Sequence, residues 1–409
     1  MTMYFHYSGW LFMTALVGAL LIDHLWGEPP ARLHPVVWMG NYLGWAGRRV
    51  QRVAWQPLAP ATGDVAACPK DYKAFWLAAL YWIAGAALLT VAAWQLEAAV
   101  LRLPEALVNW VSAVSSSPAN MTAAIIAAPN IYETSMTAGN LSAPWRLAGQ
   151  LLGAVMLALL LKPLLAWAML KHEVLAVDAA LDESLTAGRA RLSWLVSRDT
   201  TALTQAQVRE SAIESLAENL NDSVVAPIFW FVLLGLPGAA LYRFANTADA
   251  MWGYKGVYKG HNWEWAGKWA ARADDVLSWL PARLTGLLLW WVSLAVRSVR
   301  SDANAHLAVT SSDNKGRLGW GPRFSACQLR REARKTPSPN SGWPMAAMAL
   351  ALNIRLGKPG VYTLNPAGSA PQRADTQRAT EYASKVLVTL VIIALVAIYV
   401  IAYFGAGQA

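Results

Sequence analysis

Residues 198–254 read RDTTALTQAQVRESAIESLAENLNDSVVAPIFWFVLLGLPGAALYRFANTADAMWGY, and this stretch decides the fold. Glu210, Glu214 and Glu218 stand four residues apart, so on a helix they share one face, and Asp222 follows one turn later. Like charges at this spacing repel by roughly a few tenths of a kcal/mol per pair. An apolar segment follows immediately, and ionisable residues beside an apolar segment indicate a functional site. These four residues, which we call the acidic row, therefore predict a site that binds a cation.

The composition predicts a membrane protein. The chain has 409 residues, of which 56% are hydrophobic and 14% charged, whereas soluble domains carry about 25% charged residues. Several apolar segments reach the roughly 18–20 residues needed to cross a bilayer. The alternative is a soluble protein with very apolar core helices. The net charge of +9 is spread over several loops, so it predicts membrane orientation and no nucleic-acid partner.

The predicted fold class is all-α: a polytopic integral membrane protein with about four to six transmembrane or re-entrant helices and helical cytoplasmic loops. We treat 1–409 as a single membrane domain. The candidate spans are roughly 6–23, 74–94, 145–169, 225–243, 278–296 and 386–404. The fourth and fifth spans carry helix-breaking Pro and Gly residues. Because the segments on either side of this pair are both predicted to be cytoplasmic, the two spans must either both cross the membrane or both not cross it. This composition favours a re-entrant or interfacial pair that lines a cavity.

The basic loops predict the orientation. Arg and Lys concentrate in 24–73, 171–224 and 297–385, which places these segments in the cytoplasm. Residues 97–144 carry few basic residues and are predicted to be an extracytoplasmic loop, with both termini on the same side. The main catalytic region is then 171–383. By composition 55–70 and 111–144 are flexible loops, and 357–380 is extended or irregular.

The acidic row has a defined helix start. Thr204 with Gln207 forms a capping-box pattern. Glu214, Glu218 and Asp222 are candidate catalytic residues and candidate Mg²⁺ ligands, because Mg²⁺ prefers carboxylates together with bound water. The alternative is a solvated helix face.

Two later segments add carboxylates. Asn246 and Asp249 precede Lys255, and Asp274 and Asp275 are adjacent. Repeated carboxylates suit a site in which metal bridges phosphate oxygens, so all three aspartates are candidate metal ligands. Taken singly, each is equally consistent with a helix cap.

A third motif spans 338–344, SPNSGWP. Pro344 fits the first helical position, with Ser341 or Gly342 as the N-cap. A Gly/Ser turn that opens a helix offers backbone N–H groups to an anion, although a plain helix start explains the pattern as well. Near the N-terminus, His34 lies in a Pro-rich loop and is a candidate acid or base; a structural turn is the alternative. No Walker A sequence is present.

The stretches DHLWGEPPARLHPVVWMG, RDTTAL with ESLAENLNDSVVAP, NTADAMWGY, ARADDVLSWLPARLT and SPNSGWPMAAMALAL occur in this order. Together they resemble the CobD/CbiB family, the adenosylcobinamide-phosphate synthases of cobalamin biosynthesis. The resemblance covers most of the chain except 97–144 and the last span. Ser223 stands where the family pattern has Gly, and 109–143 resembles an insertion.

The resemblance implies a multi-pass inner-membrane enzyme whose active site faces the cytoplasm. It would join aminopropanol, or its phosphate, to a propionate carboxyl of adenosylcobyric acid through an amide bond, consuming ATP with Mg²⁺. The corrinoid is a substrate, and other cobalamin-assembly enzymes are candidate partners beside the lipid bilayer. A phosphate on the amine substrate needs cations or a helix N-terminus. The candidate substrate-binding residues are Arg198, Asn246, Lys255, Arg283, Ser338, Asn340 and Gly342.

Two other functions fit parts of the pattern. Asn246 and Asp249 with the later Asp pair are similar to the metal sites of intramembrane prenyl- or alcohol-phosphate transferases. Those sites carry a second Asp at i+4, where this chain has Gly253. A non-catalytic membrane sensor related to the family is the other alternative, which loss of the acidic and SPNSG motifs would favour; both motifs are present.

Overall fold

The computed structural model describes residues 2–56, 69–115, 134–307 and 324–406, and it is almost entirely helical. The helices, in chain order, are α1 Thr2–Trp26, α2 Pro35–Gln51, α3 Tyr72–Ser115, α4 Thr134–Leu161, α5 Trp167–Glu183, α6 Leu185–Leu192, α7 Gln205–Leu220, α8 Ala226–Trp252, α9 Lys268–Leu277, α10 Trp279–Leu307, α11 Ala326–Ala333, α12 Gly342–Leu352 and α13 Arg373–Ala406. Two antiparallel hairpins interrupt them, β1 Val257–Tyr258 with β2 His261–Asn262, and β3 Leu356–Lys358 with β4 Tyr362–Leu364.

Six helical stretches in the described part of the chain are long and apolar enough to cross a membrane. They are Gly9–Trp26, Tyr72–Val114, Ala143–Glu183, Gln205–Trp252, Trp279–Val296 and Arg373–Phe404. Each overlaps one of the six predicted spans. Large apolar side chains such as Leu88, Val388 and Phe404 are exposed along them, as expected for surfaces that face lipid. The fold is therefore the predicted all-α, polytopic membrane architecture.

Helix α7 lies at the centre of the molecule. Thr204 and Gln207 form both hydrogen bonds of the predicted capping box at its start. Its apolar flank is buried, with Ile213 and Leu216 fully inaccessible. The helix packs against α5, α6, α12, α13 and strand β3. Its acidic residues are thus surrounded by other elements, so the solvated-face alternative is wrong for Glu210 and Glu214, which are both buried.

A short π-helical segment, Asn221–Val225, joins α7 to α8. An extra residue in the turn of a helix is frequent at functional sites, and this turn contains Asp222. Pro227 stands in the first turn of α8, where a missing N–H group costs little. The two candidate spans 225–243 and 278–296 lie within α8 and α10, and their re-entrant interpretation stays a prediction.

Two loop predictions need correction. The flexible loop predicted for 111–144 is wrong at both ends, because α3 continues to Ser115 and α4 begins at Thr134, while the extracytoplasmic location of 97–144 stays a prediction. Leu, Ala and Val within 97–114 sustain the helix despite Pro104. The stretch predicted as irregular, 357–380, contains the β3–β4 hairpin and the start of α13. The remaining parts of the predicted loops, 57–68 and 116–133, lie outside the described residues.

Helix α8 is broken at Gly235, which has φ +68° and ψ −157°. The freed N–H of Leu236 donates to Glu97 Oε2 at 2.6 Å, so a side chain from α3 supplies the acceptor that the helix lacks there. A Cβ on Gly235 would lie 2.4 Å from the same carboxylate.

Gly235→Ala should therefore destabilise the protein by roughly 1–3 kcal/mol, because alanine resists positive φ and displaces Glu97. Thermal unfolding in detergent measures this. Gly260→Ala provides a matched control, since Gly260 also has positive φ but has open space around its Cβ position. Equal losses in the two variants would contradict a specific role for the Glu97 contact.

Candidate active site

The first two glutamates of the acidic row are paired with cations. Glu210 Oε1 accepts from Arg355 Nη2 at 3.1 Å. Glu214 Oε2 accepts from Arg198 Nη2 at 2.7 Å, and Glu214 Oε1 accepts from the Tyr362 hydroxyl. These guanidinium groups offset the like-charge repulsion along α7. Both oxygens of Glu214 are engaged, which disfavours its predicted role as a metal ligand.

Glu218 lies where the row reaches a cavity of about 300 Å³. Among the described residues its carboxylate has no hydrogen-bond partner, while Arg198 and Lys358 contribute positive charge nearby. A buried NH group of Arg198, Nη1, likewise has no hydrogen-bond acceptor. The cavity is lined by Leu195, Val196, Ser197, Arg198, Glu214, Ser215, Glu218, Asn219, Pro337, Ser338, Ser341, Lys358, Val361 and Tyr362. Glu218 is thus a carboxylate available to a ligand.

A second acidic group forms where the π-helical segment meets α8 and α9. Asn246 Nδ2 donates to Asp222 Oδ2 at 3.2 Å, and the Asn246 side chain also bonds to Asp274. Asp249 interacts electrostatically with both Asp222 and Asp275. Electrostatic interactions therefore connect Asp222, Asp249, Asp274 and Asp275, and their role as metal ligands stays a prediction.

Carboxylates outnumber cations in this acidic group, where Arg243 interacts with Asp222 and Lys255 with Asp275. Burial raises the pKa of Asp274 well above its ordinary value, and the charges of Asp222 and Asp249 raise it further. One oxygen of Asp274, Oδ1, is buried and has no hydrogen-bond partner in the described part of the chain. Burial also raises the pKa of Asp275, with the opposing charge of Lys255 lowering it. A cation bound here would relieve both the repulsion and the unpaired oxygen.

The group fits a Mg²⁺ ion that is shared with a substrate. Within 2–56, 69–115, 134–307 and 324–406, no three Asp, Glu, His or Cys side chains converge closely enough to hold a metal by themselves. Mg²⁺ usually takes one or two carboxylates, keeps several waters and completes its shell with substrate phosphates. Asp222, Asp249 and Asp274 are the carboxylates that would hold it.

Gly253 explains why no second carboxylate follows Asp249 at i+4. A Cβ at this position would lie 2.0 Å from Asp249 Oδ1, so the Asp249 side chain occupies the space that a larger residue would need. The close approach disfavours the paired Asp arrangement of the prenyl-transferase alternative.

The 338–344 turn differs from its predicted role. Ser338 Oγ accepts the N–H groups of Asn340 and Ser341, both at 3.2 Å. Since the N–H groups of Asn340 and Ser341 are already bonded, these two are disfavoured as donors to an anion, and anion binding at the turn stays a prediction. Ser341 is the N-cap as predicted. A Cβ on Gly342 would lie 2.1 Å from Ala333 O, so this glycine permits close packing of α11 against α12 rather than substrate contact.

Asn340 connects the turn to the acidic group. Its Nδ2 donates to the Asp275 carbonyl oxygen at 2.8 Å, and its Oδ1 accepts from Arg283 Nη1 at 3.0 Å. Arg283 and Asn340, two predicted substrate-binding residues, therefore lie beside the predicted metal ligands. Lys255 is exposed near Asp275, and Ser338 lines the cavity next to Glu218.

His34 has a structural position. Its Nδ1 accepts the Val36 N–H at 3.3 Å as the N-cap of α2, and its Nε2 pairs with Glu28 at 3.1 Å. Glu28 also pairs with Lys162 at 2.8 Å. Because both ring nitrogens are engaged, the predicted role of His34 as the catalytic acid or base is disfavoured, and the turn interpretation fits.

Sequence reasoning missed residues that come from distant segments. Arg243 donates to the Asp222 carbonyl at 3.2 Å and to Ser223 Oγ at 3.1 Å, which fixes the π-helical segment. Tyr362 and Lys358 reach the Glu218 cavity from the β3–β4 hairpin. The available signal was the basic residue near the centre of an apolar segment, at 243, because such residues are costly there without a function.

Comparison with known proteins shows to which family the chain belongs. The family profile described as "CobD/Cbib protein" matches residues 16–391. A "Probable cobalamin biosynthesis protein CobD" of Methanothermobacter thermautotrophicus is 35% identical over 352 residues, 86% of each chain. The protein of the same name from Thermococcus kodakarensis is 34% identical over 90% of each chain. The "Cobalamin biosynthesis protein CobD" of Chromobacterium violaceum is 34% identical over 83% of this chain and 79% of its own. No solved structure matches. With matches of this extent, the chain belongs to the CobD/CbiB family.

Proposed function

We propose that this protein is an enzyme of cobalamin biosynthesis that joins aminopropanol, or its phosphate, to a propionate carboxyl of adenosylcobyric acid with consumption of ATP. The supporting observation is an acidic group in which three carboxylates, Asp222, Asp249 and Asp274, outnumber the nearby cation Arg243, together with a cavity that presents the carboxylate of Glu218. Its relatives are named for cobalamin biosynthesis. The proposed location is the cytoplasmic membrane, with the site facing the cytoplasm.

The proposed roles of the acidic group and of Glu218 follow from the chemistry of amide formation. A carboxylate must first be activated, and Mg²⁺ shields the phosphate charge of ATP during that step. Asp222, Asp249 and Asp274 would hold this ion. The amine must then be uncharged when it attacks, so a carboxylate near the amine accepts its proton. Glu218 has the free oxygens for this role, whereas both oxygens of Glu214 are engaged.

The reaction itself is the test. Membranes that contain the protein, supplied with ATP, Mg²⁺ and aminopropanol phosphate, should convert adenosylcobyric acid to the amide product, as measured by chromatography and mass spectrometry. Omitting ATP, and membranes lacking the protein, are the controls. Absence of product beside an active enzyme of the same class would refute the proposal. Stabilisation by lipid diphosphates but by no corrinoid would favour the prenyl-transferase alternative, and corrinoid binding without turnover would favour the sensor.

A further inference from the structure

Lys162 is buried within an apolar stretch that is long enough to cross a membrane. It begins the helical turn Lys162–Leu164 between α4 and α5, inside Ala143–Glu183, and its side chain is only 3% exposed. Its Nζ lies 2.8 Å from Glu28 Oε2 and 3.3 Å from Asp23 Oδ1. A buried ion pair is weak evidence for stability, because its desolvation offsets its attraction. Ionisable residues inside membrane segments instead point to a function.

Asp23 clamps the turn from Lys162 to Ala168. Its Oδ1 pairs with Lys162 at one end, and its Oδ2 accepts the Ala168 N–H at 2.7 Å at the other end. Between these two contacts, the Ala166 N–H donates to the carbonyl oxygen of Ser223 at 3.2 Å. Ser223 belongs to the π-helical segment between α7 and α8. A backbone hydrogen bond therefore couples the position of the clamped turn to that of the π-helical segment.

A second route from Lys162 to this segment runs through Glu28 and Arg243. Helix α8 doubles back at its break, which puts Arg243 of the second arm beside Asp222 and Ser223. Glu28 interacts electrostatically with Arg243. Glu28 Oε1 and Arg243 Nε are both buried, and neither has a hydrogen-bond partner within the ranges that the structure covers. Lys162 thus holds the carboxylate that faces the arginine fixing the π-helical segment.

We propose that Lys162 is a positioning residue for Asp222. Through the clamped turn and through Glu28, it determines where the π-helical segment places the Asp222 carboxylate. Lys162 itself does not line the Glu218 cavity. The role of Asp222 as a metal ligand rests on the proposed function, whereas the coupling of Lys162 to the segment does not. The alternative is an ion pair that only balances charge inside the helix bundle.

Hydrogen exchange measures this coupling in the full-length protein in detergent. Lys162→Met leaves two carboxylates without their cation, so amides in 221–226 should exchange about tenfold faster than in the wild type. Amides at the start of α7, which has its own capping box, should keep the wild-type rate. Lys171→Met is the matched control, because it makes the same change at an exposed lysine in α5. It should leave exchange in 221–226 unchanged, and an unchanged rate in Lys162→Met would overturn the proposal.

The double variant Asp23→Asn with Lys162→Met separates positioning from charge balance. It keeps the net charge of the Asp23, Glu28 and Lys162 group, and the asparagine oxygen can still accept the Ala168 N–H. It should recover most of the melting temperature lost in Lys162→Met, because a buried pair removed as a whole costs little. Exchange in 221–226 should stay fast. Recovery of both the melting temperature and the exchange rate would show that Lys162 only balances charge.

Binding of Mn²⁺ with a non-hydrolysable ATP analogue, measured by electron paramagnetic resonance, tests the consequence for Asp222. Lys162→Met should weaken Mn²⁺ binding about tenfold, the scale at which residues that support a metal ligand affect affinity. Glu28→Gln is the milder variant, because it keeps an oxygen for Lys162 and removes the charge that faces Arg243. It should retain the fold, weaken Mn²⁺ binding and speed exchange in 221–226, each by about threefold.

The outcomes of these measurements distinguish the coupling from the proposed function. Unchanged Mn²⁺ binding in both Lys162→Met and Glu28→Gln, beside a wild type that binds the ion, would overturn the positioning role. Where Lys162→Met does not fold, the exchange and the Mn²⁺ binding of Glu28→Gln decide the question. A wild type that binds no Mn²⁺, while its 221–226 amides respond to Lys162→Met, would refute the metal-holding role of Asp222 and support the coupling.

Discussion

Asp274→Asn is expected to reduce turnover strongly and to raise the thermal stability of the protein. The carboxyl group of Asp274 is buried beside Asp222 and Asp249, and among the residues that the structure describes its Oδ1 has no hydrogen-bond partner. Asparagine keeps an oxygen that accepts from Asn246 but removes the negative charge. The expected loss of turnover is about 10²–10³-fold, because the charge that would hold the metal is gone. Relief of like-charge repulsion should raise the melting temperature by roughly 2–4 °C.

The dependence on pH has a definite sign. Since the pKa of Asp274 is raised in the folded protein, the contribution of this group to stability is greatest below the ordinary carboxyl pKa of about 4. That contribution is lost as the pH rises toward the raised value. The asparagine variant should therefore show a flatter decline of melting temperature with increasing pH than the wild type, measured without Mg²⁺ or ATP.

Glu183→Gln is the matched control for Asp274→Asn, because it makes the same change at an exposed carboxylate at the end of α5. It should leave both turnover and melting temperature near their wild-type values. An Asp274→Asn protein that melts earlier than the wild type would contradict the view that this group repels its neighbours. Normal turnover would remove Asp274 from the site.

The sequence predicted those parts of the site that depend on local spacing. The four-residue period placed the glutamates on one face of α7, and the capping box located its first turn. The six apolar segments predicted the six long helices because bilayer thickness sets their length. A shared site for Asp222, Asp249 and Asp274 was inferred only from their chemistry; in the structure Asn246 connects Asp222 to Asp274, and Asp249 interacts electrostatically with Asp222.

The hydrogen-bond partners of Glu210 and Glu214 could not be predicted from local spacing. Arg355 and Tyr362 reach Glu210 and Glu214 from 145 and 148 residues further along the chain. Such contacts depend on how the β3–β4 hairpin packs on α7, which no local period encodes. His34 illustrates the opposite error. Its residue type suggested catalysis, but the hydrogen bonds of an N-cap and of Glu28 occupy both ring nitrogens.

Glu218→Gln is expected to reduce amide formation with aminopropanol phosphate by about 10²–10⁴-fold, the usual contribution of a positioned general base. Glutamine retains the size of the side chain but cannot accept the proton of the attacking amine. Activation of the corrinoid carboxyl should continue, because the carboxylates proposed to hold Mg²⁺ are untouched. Asp274→Asn, by contrast, should lose activation and amide formation together.

Hydroxylamine separates these two steps, because it is largely unprotonated at neutral pH and needs no base to attack an activated carboxyl. With ATP, Mg²⁺ and adenosylcobyric acid, the Glu218→Gln protein should form the hydroxamate at a rate within about tenfold of the wild type, whereas Asp274→Asn should form almost none. Mass spectrometry of the corrinoid measures the product. If Glu218→Gln lost hydroxamate formation as completely as Asp274→Asn, Glu218 would belong with the metal-holding carboxylates rather than with the amine. The division of the acidic row between the two steps would then be wrong.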